Sequence, residues 1–78
     1  MQAVINVKMR EMADNIRKMR EYRNYTQEYV AARLGISQNA YSKIELGYTK
    51  ITVERLCWIA LVLEMEMRHL LDIIPVAS

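Results

Sequence analysis

TQEYVAARLGISQNAYSKIELG, residues 26–47, is the stretch on which the fold turns. Thr26 carries a hydroxyl suited to accept an orphan amide of a following first turn, which predicts a helix N-cap. In that helix Tyr29, Val30 and Leu34 are expected to face inward, and Ala31 and Ala32 allow close approach. Gly35 supplies the backbone freedom of a tight turn, Ile36 reads as a buried turn residue, and Ser37 caps a second short helix running to about Glu45. Tyr41 and Ile44 of this helix point inward and leave Gln38, Asn39, Ser42 and Lys43 outside; Leu46-Gly47 closes it. Two short helices joined by Leu34-Gly35-Ile36-Ser37 make a helix-turn-helix. The outer residues suit base edges, since Gln and Asn can each pair two hydrogen bonds with adenine and Lys can donate to guanine.

The flanking segments are helical too. Met9, Met12, Ile16 and Met19 repeat at 3, 4 and 3 residues, an apolar stripe along a first helix. That helix is expected to stop near Arg23-Asn24, because Asn tolerates the left-handed conformation. Its start falls between Lys8 and Ala13, with residues 1–7 read as a partly ordered arm in preference to a helical extension or a short strand. Beyond the central stretch, a loop from Tyr48 to Ile51 leads to Thr52, the cap of a fourth helix reaching about Leu63. A short fifth helix, from about Met65 to Ile73, ends before Pro75, since the residue preceding proline disfavours helical geometry. The expected organisation is therefore all-α, with an arm or helix 1 extension over residues 1–12, one domain over 13–74 and a short tail at 75–78.

Composition narrows the class of function. Seventy-eight residues leave room for one core. Two Gly and one Pro are too few for a turn-rich β protein. Eleven Lys and Arg against nine Asp and Glu give a net charge of +2, a bias that matters only if the cations share a face. Cys57 has no partner for a disulfide and lies in an apolar run, which points to a reducing cytoplasm. The longest apolar run, residues 56–63, is far below the roughly 20 residues that cross a bilayer, and residues 1–11 lack the charge order of a signal peptide. One histidine, His69, without Cys or His at ligand spacing, and scattered acids support neither a metal site nor catalysis. No enzyme activity and no cofactor are expected.

The segment 26–47 resembles the signature of the Xre-type helix-turn-helix family, the Cro/CI-type phage repressors and their bacterial relatives. IRKMRE at 16–21 is similar to the family's first helix, and LCWIALVLEM followed by RHLL to its fourth and fifth, so the likeness spans about residues 13–74. It implies a five-helix, repressor-like domain that binds double-stranded DNA through helices 2 and 3. By that resemblance Gln27 binds a phosphate and braces the recognition helix, Gln38 and Asn39 read bases, and Lys43 reads one turn further on. Ser37 and Ser42 touch backbone or bases, and Tyr48, Thr49 and Lys50 grip phosphates. With Thr26 at the head of the second helix, these residues make up the expected DNA-contacting set. Arg20 and Glu45 correspond to an ion pair between helices 1 and 3. Asn24, Leu46 and Ile51 depart from the usual Gly, polar and Pro positions, which bears on loop contacts and not on the fold.

Each feature also has a plainer reading. Gln38, Asn39, Lys43 and Lys50 can be an ordinary solvated face, as can Arg17, Lys18 and Arg23; Tyr48 can stack on its loop, and Cys57 can simply pack. The fourth helix is harder to dismiss. Val53, Leu56, Ile59, Ala60 and Leu63 form the expected inward stripe, yet Cys57, Trp58 and Leu61 form a second apolar stripe beside it. That surface, extended by Ile73 and Ile74, is a candidate homodimer interface; the arm residues Ala3, Val4, Ile5 and Val7 are an alternative cover. The leading expectation is a small regulator that reads a pseudo-palindromic operator as a dimer. A restriction-modification controller would be one subtype of such a regulator; the alternatives are an antitoxin or other interaction protein that acts by binding a protein partner, and an assembly module that has lost DNA binding.

Overall fold

The computed structural model describes residues 1–71, which form five helices in one bundle: α1 (Gln2–Tyr22), α2 (Gln27–Leu34), α3 (Gln38–Glu45), α4 (Val53–Val62) and α5 (Met67–Leu71). Each contributes a fully buried side chain to a single core, namely Ile16, Val30, Tyr41, Ile59 and Leu70, joined by Leu63 at the end of α4. Met9, Met12 and Met19 lie on this core with Ile16, as their spacing predicts.

The caps are local chemistry. Thr26 accepts a hydrogen bond from the Tyr29 amide, Ser37 from Ala40 and Thr52 from Arg55, each at 3.0 Å. Gly35 sits at φ +73° with open space around its Cα, so its role is conformational alone. Asn24 takes φ 61° where α1 stops.

Several expectations are corrected. Residues 1–7 are not an arm, because α1 begins at Gln2. No breaker interrupts residues 2–8, and elongating an existing helix is far easier than nucleating one. The apolar residues of this extension bury nothing, and residues 1–8 are all exposed. Tyr29 does not face inward. Val30 takes the core position beside it, and the Tyr29 ring lies 4.6 Å from that of Tyr25 with its hydroxyl accepting from Arg33. Val53 is 73% exposed, because it opens α4 one turn before that helix reaches the core. Ser42 is half-buried in the groove between α1 and α3. The fifth helix starts at Met67, not Met65: Glu64 turns to φ 58° and the Met65 amide closes back on the Ala60 carbonyl. The expected end of that helix at Ile73, and Pro75 after it, lie outside the described residues.

Arg23, read as a surface charge, is a clasp. Its Nε and Nη2 donate to the Leu63 and Glu64 carbonyls at 2.8 Å, satisfying the orphan acceptors at the C-terminus of α4. Asn15 likewise donates to the Leu70 carbonyl and ties α5 to α1.

Candidate nucleic-acid interface

α3 is held from beneath and at both ends. Tyr41 and Ile44 are buried, Ser37 caps the first turn, and the chain leaves through Gly47 at φ +81°. Glu45, the last residue of the helix, is gripped from two sides. Arg20 of α1 donates to both of its oxygens, through Nε at 2.7 Å and Nη2 at 3.0 Å, and Gln27 at the head of α2 donates to Oε1 at 2.9 Å. Arg20 also donates to the Tyr25 carbonyl at 2.8 Å. The helix is therefore bolted to α1 and α2 by one carboxylate, and the Gln27 amide that braces it lies next to Ser42 in the same groove.

Burial opposes ionisation of Glu45, but Arg20, with the neighbouring Tyr41 phenol and the amide of Gln27, outweighs it and holds the carboxyl below its usual range. Burial likewise pushes the Tyr41 phenol up, far beyond physiological pH. Its hydroxyl is buried without a hydrogen bond among the described residues.

With the inner side so engaged, Gln38, Asn39 and Lys43 are left exposed along the outer side of α3, and Tyr48, Thr49 and Lys50 are exposed in the loop that follows. Thr26 and Ser37 are exposed as well, their hydroxyls engaged as caps. Of the residues drawn together by sequence, Ser37, Asn39, Lys43, Thr49 and Lys50 line one concavity beside α3, whereas Gln27 and Ser42 line the groove between α1 and α3.

The charges sort themselves onto it. Lys8, Arg17, Lys18, Arg20 and Arg68 each face a carboxylate within 4 Å. Arg23 is spent on carbonyls and Arg33 on the Tyr29 hydroxyl. Arg10, Lys43, Lys50 and Arg55 make no ion pair and no side-chain hydrogen bond among the described residues. Lys43, Lys50 and Arg55 line a single concavity beside α3 with Ser37, Asn39 and Thr49, and no acid among the described residues lines it. Arg55 was missed by sequence reading. A lone arginine in the first turn of an apolar helix carries no signal until the fold brings that turn beside α3.

The second apolar surface is more limited than its sequence suggests. Trp58 is 55% and Leu61 68% exposed, and Val53 extends them along the same side of α4. Cys57 is half-buried, its thiol directed at the Met67 sulfur at 3.1 Å. Ile73 and Ile74 lie outside the described residues. No helix among the described residues is long and apolar enough to cross a membrane.

A helix-turn-helix family model matches residues 16–70 of the chain. Comparison with curated proteins and with solved structures gave no match.

Proposed function

Because the chain belongs to this Xre-type, Cro/CI-like helix-turn-helix family of DNA-binding regulators, we propose that it is a transcriptional repressor which occupies a pseudo-palindromic operator as a homodimer. The observation that carries the reading is the acid-free concavity in which Lys43, Lys50 and Arg55, all without partners among the described residues, flank Asn39. Cations left unpaired next to an exposed Gln-Asn pair suit a duplex: the former meet phosphates and set affinity and salt dependence, and the latter meet base edges and set sequence. Gln38 and Asn39 at the start of α3 are the base readers, Lys43 reads one turn on, and Tyr48, Thr49 and Lys50 grip the backbone. Gln27 holds the recognition helix through Glu45 while lying within reach of the same strand.

Dimerisation supplies the second half-site. Val53, Trp58 and Leu61 are the apolar surface that a second copy would cover, on α4. Two α3 helices set about 34 Å apart would enter successive major grooves.

The test is selection of bound duplexes from a random pool at fixed salt, with wild type beside Gln38→Ala/Asn39→Ala. A palindrome enriched by wild type and lost in the double variant is expected. If wild type enriches nothing and binds only weakly, the repressor reading fails and a partner-directed role such as that of an antitoxin takes its place.

A further inference from the structure

The N-terminal half of α1 lies ahead of the segment matched by the family, residues 16–70, and contributes no buried side chain before Met12. One side of it nonetheless has a neighbour. Gln2, Asn6 and Arg10, at helical spacing, line an open cleft of about 900 Å³ whose other wall is the α3–α4 loop with Tyr48, Thr49 and Lys50. No acid among the described residues lines this cleft. Its two cations, Arg10 and Lys50, are among the four without partners, and its remaining polar groups are amides and hydroxyls.

We propose that this cleft takes a run of DNA phosphates outside the segment read by α3, with Arg10 as its anchoring cation. The proposal rests on the DNA-binding reading above and deepens it by placing a further contact on the α1 extension. Continuity supports DNA as the occupant, because Thr49 and Lys50 belong both to this cleft and to the concavity beside α3. A strand lying along one is thus led into the other. The Arg10 stem packs closely on Gly47, where a Cβ would stand 3.1 Å from the Arg10 Cγ. On the other side of Arg10 the groove does hold acids, but Glu11 pairs with Lys8, Asp14 with Arg17 and Lys18, and Glu45 with Arg20. Each of these acids thus already faces another cation.

The experiment compares binding to a selected operator duplex with binding to the same operator lengthened by random flanks, across a salt series. Wild type is expected to gain several-fold from the flanks. Arg10→Gln should lose that gain, and its salt slope should fall by about 0.9 per protomer for one phosphate contact released. Arg10→Lys should retain most of both, as should Lys18→Gln, which removes a cation of the same helix away from the cleft. Asn6→Asp, at an exposed position, sets a carboxylate in the cleft and should abolish the gain without touching the Arg10 stem on Gly47. Flank-dependent affinity unchanged in both Arg10→Gln and Asn6→Asp would overturn the proposal and leave the operator reading standing. Failure of wild type to bind any duplex would overturn both.

Discussion

Arg20 crosses from α1 to hold both carboxylate oxygens of Glu45, the final residue of α3, with side-chain exposures of 12% and 2% respectively. The pair is buried enough that removing one half strands the other. Its geometry is bidentate, which lysine could not reproduce.

Glu45→Gln is therefore expected to cost roughly 3–5 kcal/mol at pH 7, measured by urea unfolding. The pH dependence has a definite sign. The folded carboxyl is held below its usual value of 4.5, so its contribution is complete above that value and is lost as pH falls through the lower folded one. The gap between wild type and Glu45→Gln should narrow steadily on acidification below about pH 4.5. A gap independent of pH would mean that shape, not charge, makes the contact.

Tyr41→Phe tests the opposite case. The hydroxyl is buried and makes no hydrogen bond among the described residues, so deleting it strands no partner. Stability should be unchanged or should rise by up to about 1 kcal/mol. A loss larger than that would show that the phenol is bonded to the Arg20–Glu45 pair in solution.

Arg55→Gln separates affinity from sequence preference. It should weaken operator and unrelated duplex alike, by roughly 5- to 10-fold per protomer at 0.1 M salt for one lost phosphate contact in each. The preferred sequence in a selection experiment should not move. A changed consensus would make Arg55 a base reader instead.

Trp58→Glu places a charge on the exposed side of α4. Sedimentation should find a monomer where wild type is dimeric, with the helical circular dichroism intact because Trp58 lies outside the core. A variant that remains dimeric would move the interface to another surface.

How much of this was legible beforehand depended on the range of the interaction. Thr26, Ser37 and Thr52 cap helices because a hydroxyl reaches an amide three residues on, and Gly35 turns because it lacks a Cβ; such effects are written within a few positions of the chain. The methionine stripe of α1 and the exposed Gln38, Asn39 and Lys43 follow from helical periodicity in the same way. Tyr29 and Val53 were misplaced because periodicity gives an apolar arc but not how far its neighbours extend to cover it. The helical extension of α1 stood only as the lesser alternative to an arm, because a helix can propagate past its last packed turn, where no stripe marks it. Above all, the order of residues could count eleven cations but not pair them. Arg23 became a clasp for α4, Arg20 half of a buried bolt, and Arg10 and Arg55 neighbours of α3 without partners among the described residues only when segments up to 41 positions apart in the numbering met. An electrostatic surface is a sum over pairs, and those pairs exist only after the chain has packed.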